Sequence, residues 1–179
     1  AHDAGNKDRL IADLYKQLWI IAPQQRQKEL EEQTALALRK YSEEDYRSAA
    51  RAADKSLALE PNIELAEIAV DSLIWLEVEL GFRAGVTREA RRALSRLYKL
   101  VNASSEPNGA LELRMSFYDA KISYLETRRQ KSYLEEVEIK LAKVLNQLDS
   151  KKPTEMYYEA RSWKGLVFAS RSQLDGVIT

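Results

Sequence analysis

Cysteine is absent from the 179 residues, and histidine occurs once, as His2. The first absence excludes disulfides, thiolate metal sites and cysteine nucleophiles. The second leaves nothing with which to build a histidine-based general base or metal cluster, because a lone residue near a terminus has neither co-ligands nor an orienting partner. Charge of one sign is lacking too: 28 basic and 28 acidic side chains cancel, so no long-range field draws the chain to nucleic acid or to an anionic membrane. No apolar run reaches the roughly 18 to 20 residues needed to cross a bilayer, and the longest fragment lies around Leu18 to Ala22. The expectation is a soluble protein, cytoplasmic or, after processing of an N-terminal segment, extracytoplasmic. Glycine-rich phosphate loops and the familiar nucleophile motifs are also missing, so the sequence points away from an enzyme and calls for no catalytic residue, cofactor or metal.

What the chain does contain is helix-forming. With 6 Gly, 4 Pro and abundant Ala, Leu, Glu, Lys and Arg, intrinsic preference favours helix along almost the whole length. Three of the prolines, Pro61, Pro107 and Pro153, recur at intervals of 46 residues, and two of them stand in the same tripeptide, Glu60-Pro61-Asn62 and Glu106-Pro107-Asn108. Such an interval marks a stack of one repeated supersecondary unit.

The apolar stripes keep the same beat. Leu65, Ala69, Ser72 and Leu76 are followed 46 residues later by Leu111, Met115, Tyr118 and Ile122. Ala90, Leu94, Leu97 and Val101 match Val137, Leu141, Val144 and Leu148 at an offset of 47, and a shifted last copy reads Met156, Ala160, Trp163 and Val167. These spacings predict eight helices, with prolines 23, 61, 107 and 153 each opening one, Ser42 and Thr87 acting as N-caps, Ser132 and Glu135 forming a capping box, and Gly85 ending the fourth helix. The first helix is expected over about 7–21, carrying Leu10, Leu14, Leu18 and Ile21. The predicted organisation is a single domain over 1–179: a capping helix to residue 22, hairpins at 23–60, 61–106 and 107–152, and a closing helix from 153. No hairpin can bury its own apolar face, so the units must stack. A closed bundle of similar hairpins is the competing arrangement.

The stretch from Tyr41 to Ala49 followed by Ser56-Leu57-Ala58-Leu59-Glu60-Pro61-Asn62 resembles the second half of a tetratricopeptide repeat, with Ala49 and Ser56 at the small positions and Pro61 at the close of the unit. Upstream, Leu36 and Ala37 stand where that family has a leucine followed by a small residue. Gln33, Lys40 and Ala53 depart from its aromatic positions, and the later units are about 12 residues longer than the family's 34. The resemblance covers roughly 30–62. It implies an all-α, right-handed superhelix of stacked antiparallel helix hairpins, an α-solenoid, acting as a non-enzymatic adaptor that presents a groove to a peptide or helix of a partner protein. The alternative is a chaperone-like or accessory subunit of a secretion, envelope or transport assembly. The side chains Glu31, Thr34, Ala35 and Leu38 do not suit the family's carboxylate-binding mode.

Two features suggest contact with such a partner. Arg88, Arg92, Arg96 and Lys99 recur on one helix opposite Ala90, Leu94 and Leu97, a basic stripe fitted to an acidic peptide. Without interleaved aromatics it is a poor footprint for nucleic acid. Trp19, beside Ile20 and Ile21, is a candidate docking or self-association contact, whereas Trp75 and Trp163 fall near apolar stripes and read as core. The glutamates at 29, 31 and 32 and at 135, 136 and 138 scatter around their helices and read as solvated faces.

Overall fold

Asn62 and Asn108, the last residues of the two matching tripeptides, do the same work: each side-chain oxygen accepts the backbone N–H three residues on, from Leu65 at 3.0 Å and from Leu111 at 3.1 Å. An N-cap of this kind satisfies one of the donors that a helix leaves open at its start. The cap is therefore the asparagine. Pro61 stands just ahead of it, outside the helix rather than in its first turn, and Pro107 lies outside the described residues.

The computed structural model describes the backbone of residues 2–83, 85–104 and 108–176, and the side chains within those ranges from residue 22 onward. Seven helices account for nearly all of it: α1 His2–Ser42, α2 Tyr46–Leu59, α3 Ile63–Glu79, α4 Thr87–Ala103, α5 Gly109–Thr127, α6 Lys131–Gln147 and α7 Glu155–Leu174. There is no strand among the described residues. Among the described residues no helix is long and apolar enough to cross a membrane.

The expected eight helices become seven because α1 runs straight through Pro23. A proline inside a helix removes one N–H and leaves a carbonyl a turn earlier without its partner. Here Pro23 is exposed, and the helix continues through it. Ser42 is not a cap either; its hydroxyl donates back to the Arg39 carbonyl at 2.8 Å, while Asp45 caps α2 by accepting from the Ser48 N–H at 3.2 Å.

Further along, α3 stops at Gly81 rather than at Gly85. Gly81 adopts φ +61°, its N–H donates to the Val78 carbonyl at 2.9 Å, and the Phe82 N–H donates to the Glu77 carbonyl at 2.7 Å. That pair of bonds closes the helix end in the left-handed manner glycine favours. Thr87 is the first residue of α4, not its cap. The backbone N–H of Val86 donates instead to the Glu77 carboxylate of α3 at 2.9 Å, which places a buried negative charge at the positive end of α4. Ser132 likewise sits inside α6, which starts at Lys131 with no side-chain cap.

The predicted apolar stripes are where the helices meet. Ala90, Leu94 and Leu97 of α4, Val137, Leu141 and Val144 of α6, and Ala160, Trp163 and Val167 of α7 are all buried, as are Leu65, Ala69, Ser72 and Leu76 of α3 and Leu111, Met115 and Ile122 of α5. Leu10, Leu14, Leu18 and Ile21 lie outside the described side chains. Each helix packs on the next, and the odd-numbered helices also touch in succession, α1 with α3, α3 with α5 and α5 with α7. Among the described residues no Cα of one even-numbered helix comes within 8 Å of another's, and α2 and α4 meet only through a side-chain pair, Arg96 with Asp54. The result is two layers, with α3 and α5 buried on most sides and α2, α4 and α6 laid over them. Alanines 49, 50, 52 and 53 of α2 let it approach both α1 and α3 closely.

Candidate functional site

Lys121 of α5 is 1 % exposed, the most deeply buried charge among the described residues. Its ammonium donates to the Asp71 carboxylate of α3 at 3.1 Å and to the Glu159 carboxylate of α7 at 2.8 Å. Four aromatic rings surround the same nitrogen: Phe117 at 4.5 Å, Tyr118 at 5.1 Å, Trp75 at 5.8 Å and Trp163 at 6.0 Å from centroid to Nζ. Paired carboxylates and the negative faces of the rings together replace the water that burial strips from the ammonium.

Local helical geometry explains how these groups converge. Asp71 and Trp75 are one turn apart on α3, Phe117 and Lys121 one turn apart on α5, and Glu159 and Trp163 one turn apart on α7, so each helix offers a charge and a ring on one face. The repeat interval does the rest: Lys121 follows Trp75 by 46 residues and Trp163 follows Phe117 by 46, which brings them level in adjacent helices.

The ammonium is the floor of a groove of about 500 Å³. All four odd helices line it, from Tyr41 at the end of α1 through Trp75 and Tyr118 to Met156 and Tyr158 of α7. Tyr158 is 59 % exposed at the rim. Beside it Arg114 forms a two-pronged pair with Glu67, Nε to Oε1 at 2.6 Å and Nη2 to Oε2 at 3.1 Å. The Tyr41 hydroxyl donates to the second oxygen of Asp71 at 2.5 Å, and the Trp163 indole N–H donates to Glu159 at 3.3 Å.

Burial, and then the negative charge of Asp71, push the phenols of Tyr41 and Tyr118 far above the ordinary tyrosine range. The sign of the consequence follows: a phenol raised in the folded state favours folding fully below the unfolded value of about 10, and that contribution is lost as pH climbs toward the folded value. An alkaline titration followed at 295 nm should therefore fall short of the 9 phenolates the sequence holds until the chain unfolds. Tyr41→Phe should reduce the missing absorbance by one phenolate. Complete ionisation ahead of the loss of helical circular dichroism would contradict this burial.

A second polar cluster clamps α4 and α6 to α5. Arg91 pairs with Asp119 and, through both Nε at 3.1 Å and Nη2 at 2.7 Å, with Glu126, while Lys140 of α6 reaches Asp119 at 2.9 Å. Burial alone pushes the Asp119 carboxyl up, but hydrogen bonds from Lys140 and Arg91 outweigh it and hold the group below the usual carboxylate range.

The residues singled out in the sequence fall elsewhere. Arg88, Arg92, Arg96 and Lys99 are all exposed on α4. Arg92, Arg96 and Lys99 line one shallow hollow along α4, Arg92 and Arg96 also line a cleft that faces α2, and Arg88 lines neither. Arg96 is paired with Asp54 of α2 at 2.9 Å. The side chain of Trp19 lies outside those described. Trp163 is core at 3 % exposure, whereas Trp75 is half-buried and belongs to the groove. Lys121 went unseen in the sequence because one lysine among helix formers looks like any solvated residue. The available signal was its position one turn after Phe117 and one repeat after Trp75.

The helices form an all-α array in which each packs on the next, and this groove crosses all four odd-numbered members. No family model, curated protein or solved structure matches the chain. Among the described residues no group of three or more histidine, cysteine, aspartate or glutamate side chains is placed to hold a metal ion.

Proposed function

We propose that this chain is a non-enzymatic interaction module, a right-handed, tetratricopeptide-like array that receives a peptide or helix of a partner protein in the groove above Lys121. One observation carries the reading: all four odd helices contribute side chains to a single open groove, which is how a stack of hairpins builds a binding face longer than any one unit. Trp75, Tyr118, Met156 and Tyr158 supply anchors of the kind that dominate protein association, rigid or adaptable apolar bodies, three of them with a polar tip. Lys121, Asp71 and Glu159 satisfy one another, so they hold the floor in shape and leave recognition to the rim. The Arg114–Glu67 pair and Glu155 at the groove's edge supply charge of both signs for fixing the register of an incoming chain.

Selection of a random peptide library on the full chain tests this. Enriched peptides should alter the fluorescence of Trp75, and Tyr158→Ala should weaken them about tenfold, the ordinary cost of removing an aromatic anchor. Peptides indifferent to Tyr158→Ala and to Arg114→Ala would refute the groove as the binding face. The apolar edge of α7, where Phe168 is 65 % and Leu174 45 % exposed, favours the second reading, an accessory subunit seated against a neighbour in a larger assembly.

A further inference from the structure

The opposite layer holds a cleft of different chemistry. No Cα of α2 comes within 8 Å of one of α4, so the two helices leave a gap over α3 of about 500 Å³. Arg47 and Arg51 line it from α2, and Arg92 and Arg96 from α4. On each wall the two arginines are four residues apart, one turn, so they point into the gap as a matched ladder. All four are exposed. Only Arg96 has an ion-pair partner among the described residues, Asp54 at 2.9 Å, and Glu89 is the one other acid lining the cleft. Four positive charges against two negative ones leave a local excess in a chain whose overall charge is zero. Leu73 and Leu76 of α3 form the floor, with Ala93 beside them.

We propose that this cleft docks an acidic amphipathic helix of a partner protein, with aliphatic side chains on the leucine floor and glutamate or aspartate at one-turn spacing against the arginines. Guanidinium groups suit carboxylates, which they can grip with two parallel hydrogen bonds. The apolar floor is what favours a peptide over a nucleic acid: a phosphate backbone brings nothing to cover leucine, and no aromatic ring lines the cleft to stack a base. The site is on the other layer from the Lys121 groove and stands or falls without it.

A fluorescein-labelled synthetic helix with leucines along one face and glutamates four apart on its flanks, titrated with the full chain and followed by anisotropy, decides the matter. The acidic peptide should bind, its affinity should fall as salt screens the charges, and a glutamine-for-glutamate version should bind at least about tenfold more weakly. Arg47→Glu combined with Arg92→Glu, two exposed substitutions that should leave the helical circular dichroism intact, should lower affinity by about tenfold or more. Tyr158→Ala should change nothing here, which separates this cleft from the groove. Failure of the acidic peptide to bind, equal binding by the doubly substituted chain, or displacement by a single-stranded oligonucleotide that binds more tightly would each overturn the proposal, the last in favour of nucleic acid.

Discussion

Leu94→Asp is expected to cost roughly 4–5 kcal/mol, the sum of a lost leucine contact and an unpaired carboxylate forced into an apolar seam. Leu94 is 1 % exposed and lies in the stripe of α4 that packs on α3. The stripe around it is Ala90, Ala93 and Leu97, and the facing helix α3 holds no lysine or arginine to pair the new charge. A single domain of this size is stable by about 5–15 kcal/mol, so one such substitution removes a large share of the total. Arg92→Ala, only two residues away, should stay within about 1 kcal/mol of the parent, since the side chain is exposed and makes no ion pair among the described residues. Urea unfolding of both variants measures the contrast directly. Equal shifts would mean that α4 is rotated about its axis from the orientation described here.

That contrast was legible in the sequence, and the reason is periodicity. Ala90, Leu94 and Leu97 recur at three and four residues with arginines between them, and only a helix with one buried side produces such a pattern. Where a helix is buried on several sides the pattern fades. In α3 the run from Leu65 to Leu76 is nearly all apolar and says little about which face meets which neighbour. Helix ends were readable where the cap is a local hydrogen bond. Asn62 and Asn108 repeat within matching tripeptides, and only the division of labour between asparagine and proline was misplaced.

The start of α4 was not readable, because its carboxylate partner, Glu77, arrives from the preceding helix across a turn. Pro23 misled because a proline suits the first turn of a helix, and nothing local in the sequence shows that a preceding helix runs through it. The groove itself was not visible in the sequence. Trp75 read as a core residue, and the Lys121 centre joins groups separated by 50 and 38 residues, which only packing of the successive helices brings together. The basic stripe on α4 was visible as a stripe. Its partners on α2, Arg47 and Arg51, gain meaning only once the two helices are seen to flank a gap.

Lys121 should prove the most costly polar residue to remove. Lys121→Ala is expected to lower stability by roughly 3–5 kcal/mol, the range for breaking a buried ion pair by deleting one partner. Two effects combine: the stem no longer fills the space among Phe117, Tyr118, Trp75 and Trp163, and Asp71 and Glu159 are left facing each other without a cation. Lys121→Met restores most of the volume and isolates the second effect. Adding Asp71→Asn and Glu159→Gln to Lys121→Met should then recover much of the loss, because a neutral, hydrogen-bonded cluster does not need the ammonium. The order of stabilities is the diagnostic, with the parent highest, the triple variant next, then Lys121→Met and finally Lys121→Ala. If Lys121→Met matched the parent, the carboxylates would have to draw their compensation from water entering the groove. The floor would then be wet, and the anchors above it would bind against a softer surface than the packing of α3, α5 and α7 describes.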